Sequence, residues 1–246
     1  CRVIIDKEII NQPLSIQFTM AFPGNICVMG GGSWATALAK LLLQDCETIH
    51  WYMRRDDRIE QFISEGRNPA YLSDVLFDVN RIYFSSDINE MCRRCDTLLL
   101  AMPSPYFKAH TDKITVDLSD KSIVSAVKGI VPDDNVLITD YMADHFGCGR
   151  NQILVISGPC HAEEVALDHS CFLTIGSPSE ANAKTFAKCL ESKKVKTITS
   201  TDINGIQYAA VLKNIYAIAA GIIHGIKMGD NLLAMLVSNA IREMER

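Results

Sequence analysis

The residues from Asn25 to Leu43 read NICVMGGGSWATALAKLLL. An apolar run meets Gly30, Gly31 and Gly32, and a helical pattern follows at once. The spacing of Gly30, Gly32 and Ala35 is G-x-G-x-x-A, and each position has a task in a strand–turn–helix that grips a dinucleotide. Gly30 permits the tight turn, Gly32 lets the backbone approach a pyrophosphate, and Ala35 lets the helix pack close to the strand. The pyrophosphate would rest on the free N–H groups of a helix starting near Ser33. A strand-like run from Thr48 to Met53 arrives about 20 residues after the turn, where the ribose-reading residue belongs. A site selective for NAD places Asp or Glu there, but this chain has Met53, Arg54 and Arg55. Guanidinium groups match a phosphate in shape and charge. NADPH is therefore expected in preference to NADH, with Arg54 as the nearer contact.

Two lysines could do proton chemistry. Lys213, followed by Asn214, sits inside AAVLKNIYAIAAG, an otherwise apolar helical segment. An unpaired ammonium is costly to bury. Either Lys213 snorkels or finds a carboxylate, or it is a desolvated amine that exchanges a proton with a reacting oxygen. The second possibility requires its amine to be enclosed by hydrocarbon. Asn214 adds a group that can fix a ligand oxygen. Lys128 follows the strand-like SIVSAV, and the end of a strand is where ligands bind in an α/β sheet. Ala101-Met102-Pro103-Ser104 and Ser157-Gly158-Pro159-Cys160 are turns of the same kind.

Strands and helices must alternate to place these groups together. Strand patterns occur at 25–30, 48–53, 81–85, 97–102, 122–127, 152–157, 171–176 and 195–199. Helical patterns occur at 33–45, 57–65, 87–94, 105–113, 134–146, 161–168, 179–191, 205–227 and 231–246. This order predicts a Rossmann-type α/β fold, a mostly parallel sheet with helices on both faces. The start of an all-α C-terminal domain follows. Residues 1–19 read as an N-terminal extension, 20–203 as the dinucleotide-binding domain and 204–246 as the first helices of the second domain. Gly221, Gly225 and Gly229 recur on one helical face and suggest close helix packing.

An apolar fraction of 48% with 22% charged residues marks a globular chain. A net charge of −5 gives no basic field for nucleic acid. Nine cysteines in apolar segments suit reduced, buried thiols and a cytoplasmic location. Cys92 and Cys95 read as helix positions one turn apart. Gln207, Lys213, Asn214 and His224 interrupt the longest apolar stretch, so no membrane span is expected. The chain stops at Arg246 within a helical pattern and reads as a fragment.

GGGSWATALA, NPAYL (68–72), AMPS (101–104), SAVKG (125–129), SGPCHAEE (157–164), LKN (212–214) and GDN (229–231) occur in that order. Together they resemble the bacterial NAD(P)-dependent glycerol-3-phosphate dehydrogenase family over residues 22 to 246. The resemblance implies reversible hydride transfer between NAD(P)H and dihydroxyacetone phosphate, giving sn-glycerol 3-phosphate for phospholipid synthesis. It implies that Lys213 is the proton acceptor in alcohol oxidation and that Lys128 contacts both substrate and cofactor. Ser33, Trp34 and Ala162 would touch the cofactor, and Gly158 and Cys160 would line the substrate side. A homodimer is compatible with it. Cys160-His161 departs from the family's usual Ser-Phe. An Asp and an Arg-Asn phosphate clamp would lie beyond position 246, so the fragment is expected to bind cofactor better than it turns over substrate. The alternatives are another dehydrogenase pairing a dinucleotide domain with helices, of hydroxyacyl-CoA or ketopantoate reductase type, or a non-catalytic nucleotide sensor.

Overall fold

The structure, a computed structural model, describes residues 22–245. The expected extension over residues 1–19 lies outside the described residues. The chain begins β1 (Ile26–Met29), α1 (Ser33–Asp45), β2 (Ile49–Tyr52), α2 (Asp56–Glu65), β3 (Ile82–Ser85), α3 (Ile88–Arg94) and β4 (Thr97–Leu100). It continues with α4 (Phe107–Thr111), β5 (Ser122–Ser125), the small pair β6 (Ile130–Val131) and β7 (Val136–Leu137), α5 (Ile138–Phe146) and β8 (Ile153–Ser157). Then come α6 (Ala162–Ala166), β9 (Cys171–Gly176), α7 (Glu180–Leu190), β10 (Val195–Ser200), α8 (Ile203–Gly225) and α9 (Asp230–Met244).

Eight strands form one sheet in the order β10-β9-β8-β5-β4-β1-β2-β3. The six from β3 to β8 are parallel, so their carboxyl ends share one edge. Their apolar residues alternate between two cores, as the pleat requires. Val28, Leu99, Val124 and Leu154 pack with α1 and α7 on one face. Cys27, Met29, Leu98, Leu100 and Ile123 pack with α3, α4 and α5 on the other. The sheet is thus covered on both sides, which is why these strands read as unbroken apolar runs. β9 runs antiparallel to β8, and β10 is parallel to β9.

Four expectations need correcting. The helix expected over 134–146 starts only at Ile138, because Asp133 and Asn135 adopt positive φ (69° and 53°) and turn β6 back onto β7. Cys92 lies in α3, but Cys95 caps its end in extended geometry rather than occupying a helical position. α8 is long and apolar enough, by length and composition, to cross a membrane (mean hydropathy 1.4), so its polar residues do not disqualify it on that test. Nothing lies within 4 Å of a Cβ built on Gly221, Gly225 or Gly229, so the small-residue face meets no neighbour among the described residues. α8 and α9 pack on each other, and Gln207 is the single buried residue of α8. Its amide donates to Thr139 Oγ1 of α5 at 2.8 Å, which ties the helical pair to the sheet domain.

Candidate active site

The glycine turn is built by contacts from three directions. Gly30 has φ +133°, and a Cβ there would meet the Ala101 carbonyl oxygen at 3.0 Å, at the end of β4. Glycine is thus needed both for the conformation and for the close crossing. Trp51 donates its indole N–H to the Gly30 carbonyl at 2.7 Å. Asn68, fully buried, donates to the Gly31 carbonyl at 3.1 Å and to Thr36 Oγ1 at 2.8 Å. Its own oxygen accepts from the backbone of Ala70 and Tyr71. Asn68 therefore fastens the NPAYL loop onto the turn. Its buried side chain is a site residue the sequence reading did not assign; an asparagine before proline reads only as a turn signal.

Gly32 is different. Its φ of −84° is open to any residue, and nothing in the chain lies within 4 Å of a Cβ placed on it. The space it leaves is needed by no neighbouring residue. It caps α1, whose first turn carries no acidic residue and no side-chain cap, so the helix presents unmasked N–H groups. Trp34, beside it, has a buried indole nitrogen with no partner among the described residues. An open cradle, a bare helix start and an unused donor fit a pyrophosphate.

Three adjoining crevices run along the carboxyl edge of the parallel strands. The first, about 360 Å³, lies beside Gly30, Gly32, Arg54, Arg58, Tyr106 and His110. Arg55 also borders it, but its guanidinium is held by Asp57. Arg54 is exposed and makes no ion pair among the described residues. The second, about 450 Å³, shares Gly32 and Tyr71 with the first and adds Ser33, Trp34, Lys128, Cys160 and Ala162. The third, about 360 Å³, shares Lys128 and adds Gly158, Thr174, Ala210 and Lys213. Asn214 borders none of the three and is exposed.

Lys128 is an exposed residue whose Nζ lies 5.4 Å from the centre of the Trp34 ring, which partly screens it from water. This partial desolvation lowers its pKa, and the positive charge of Lys213 pushes the same way. The two lysines thus share one corner. Lys213 itself is exposed, contrary to the expected enclosure of its amine by hydrocarbon. The physical reason is that Lys213 borders the third crevice, where Gly158, Thr174 and Met244 face it across open space rather than covering it. Gly158 has φ +151°, and a Cβ there would strike the Phe172 carbonyl at 2.5 Å. Cys160 donates its thiol to that same carbonyl at 3.0 Å, so its hydrogen is turned away from the crevice. Elsewhere His110 meets Tyr52 Oη through Nδ1 at 3.2 Å.

A six-stranded parallel run in the order 3-2-1-4-5-8, with a glycine turn at its switch point, defines a dinucleotide-binding α/β domain leading into helices. Residues 25–183 match the family model for the N-terminus of NAD-dependent glycerol-3-phosphate dehydrogenase, and residues 202–246 match that for its C-terminus. The chain belongs to this family. It is 30% identical over 223 residues to glycerol-3-phosphate dehydrogenase [NAD(P)+] of Lysinibacillus sphaericus, covering 90% of this chain and 66% of that protein. With the Staphylococcus haemolyticus protein of the same name the identity is 32%, covering 90% and 67%. The chain thus spans about two thirds of the length of these relatives. The crystal structure of glycerol-3-phosphate dehydrogenase from Coxiella burnetii superposes with a TM-score of 0.77 at 26% identity, covering 91% of this chain and 68% of that one. The Plasmodium falciparum structure shares the fold, with a TM-score of 0.80 at 21% identity over 90% of this chain and 65% of that one.

Proposed function

We propose that this chain binds NADPH, or NADH less tightly, and serves reversible hydride transfer between that cofactor and dihydroxyacetone phosphate. The observation that carries the reading is the row of three adjoining crevices from Arg54 through Gly32 and Trp34 to Lys128 and Lys213, set in a chain of this family. Residues 20–203 form the cofactor domain, and 204–246 open the helical domain. Gly30, Gly32, Ser33 and the start of α1 hold the pyrophosphate. Arg54 pairs with the 2′-phosphate, and Arg55 supports it less directly because Asp57 engages it. Ala162 and Trp34 flank the nicotinamide half. When bound, the cofactor supplies the hydride.

The chain's own residues then handle charge and protons. Reduction of a ketone builds negative charge on its oxygen, and the ammonium groups of Lys128 and Lys213 stabilise it. Lys213 gives the proton in that direction and accepts it in the other. Gly158 and Cys160 shape the floor beneath the substrate. Lys213 stands exposed in these residues, so its part requires substrate and cofactor to close over it. A homodimer in the cytoplasm accords with the family reading.

The test is dihydroxyacetone phosphate-dependent oxidation of NADPH by the protein at the full length of its relatives. Lys213→Met should lower turnover by about 10²-fold or more while NADPH still binds. Arg54→Ala should weaken NADPH relative to NADH by about tenfold, since a hydrogen bond to a charged group contributes about 1.5–3 kcal/mol. Full turnover by Lys213→Met, or equal loss of both cofactors in Arg54→Ala, would refute the respective role.

A further inference from the structure

β8 and β9 pair antiparallel, with Val155 opposite Gly176, Ile156 opposite Ile175 and Ser157 opposite Thr174. Carried three residues past Ser157, this register sets Cys160 opposite Cys171. Local contacts show that the chain keeps that course: Gly158 and the Cys160 thiol both approach the Phe172 carbonyl. Opposed residues on antiparallel strands have Cα atoms about 4.5–5.5 Å apart, within the range of about 4.4–6.8 Å that a disulfide spans. Both side chains enter the same core as Leu173 and Ile175. Cys160 borders the crevice beside Trp34, Lys128 and Ala162, with Cys171 behind it. Burial and the adjacent Cys160 sulfur push the Cys171 thiol up to about 11.

We propose that Cys160 is a modification site for hydroperoxides, and that Cys171 resolves the product into a cross-strand disulfide. The Cys160 sulfur, having given up its proton beside the Lys128 ammonium, attacks a peroxide oxygen. The O–O bond breaks, a sulfenic acid forms, and the leaving oxygen takes up the proton as water or an alcohol. Cys171 then attacks the Cys160 sulfur. The S–S bond forms, the S–O bond breaks, and a water leaves with the Cys171 proton. The two sulfurs lose two electrons and the peroxide gains them. Forming the bond takes the Cys160 sulfur off the Phe172 carbonyl and re-sets the 158–161 turn beside Lys128 and Ala162, and NADPH binding is lost. That consequence rests on the cofactor reading above; the disulfide does not.

No Lys or Arg lies between Asn151 and Lys184, so one tryptic peptide carries both thiols. After hydrogen peroxide treatment of the chain, this peptide should be lighter by two hydrogens and take up no alkylating reagent at Cys160 or Cys171. Dithiothreitol should restore both sites. Cys171→Ser should trap Cys160 as a sulfenic acid that dimedone captures, whereas Cys160→Ser should leave Cys171 unoxidised. Free Cys160 and Cys171 under conditions that oxidise the half-buried Cys46 would overturn the proposal. Loss of NADPH binding on oxidation, reversed by dithiothreitol, supports the shut-off, and equal binding by both forms overturns it. If the reduced protein fails to bind NADPH, the cofactor reading falls and the peptide alone decides the disulfide.

Discussion

His110 shows how single residues decide behaviour that no motif announces. Its ring lies edge-on to Tyr52 at 5.7 Å and borders the crevice near Arg54. Burial lowers its pKa, and the charges of Arg54 and Lys113 lower it further. The folded chain therefore holds this proton less tightly than the unfolded chain. On acidification below the unfolded value of about 6.5, the unfolded state takes up the proton first. Stability is then lost until the pH falls below the lowered, folded value, after which no further loss comes from this group. In His110→Gln the urea midpoint should fall less steeply between about pH 7 and pH 5 than in the parent chain; an unchanged slope sinks the assignment. The positions of the glycines, the arginines and Lys128 along the crevices were legible in the sequence because strand ends and short spacings define them. Asn68 and His110 were not, because their partners lie 32 and 58 residues away. Lys213 was misread as enclosed, since apolar neighbours along a helix do not reveal what covers it.

At the scale of elements, the β1–α1 turn separates what the fold needs from what a ligand needs. Gly30 and Gly32 are equivalent in the motif but not in space. Gly30→Ala forces a Cβ against the Ala101 backbone at a positive φ, and should cost on the order of 1–3 kcal/mol in thermal or urea unfolding. Gly32→Ala meets nothing and keeps an ordinary φ, so stability should stay within about 0.5 kcal/mol. NADPH binding, followed by fluorescence titration, should nevertheless be lost in Gly32→Ala. Parent-like binding in that variant would mean that no pyrophosphate lies on the turn. α1 matched its expected span because a glycine start and an unbroken apolar face mark it. The β6–β7 hairpin was missed because Asp133 to Asn135 also suits a helix start. The reversal at β9 was not legible either. An apolar run of strand length carries no direction, and the 158–170 connection holds a short helix that would equally have served a parallel crossover.

Across the whole molecule, burial is uneven. Most strand residues from β1 to β8 are almost inaccessible, whereas α8 and α9 each bury one residue, Gln207 and Ala240. Ile215, Ile218, Ile222, Met235 and Ile241 are all more than half exposed. Local opening costs little where few apolar contacts are lost, so among the described residues the two helices should form the least stable cooperative unit. They are not independent of the sheet, because the Gln207–Thr139 bond and the contact of α8 with β8 anchor the near end. Amide hydrogen exchange should therefore be graded along α8. The first turns, around Gln207, should approach the protection of β8, and the stretch from Ile215 to Gly225 should exchange with α9 well before the sheet opens. Gln207→Leu removes the anchor's donor, so it should bring the first turns to the rate of the rest while leaving β1, β4 and β5 unchanged. Uniform protection along α8, at the level of the central strands, would show that the helices share the cooperativity of the sheet. In that event the exposed position of Lys213 could not reflect a mobile arm. Closure over the substrate would then have to come from residues packing onto a rigid α8, rather than from α8 moving toward the crevice.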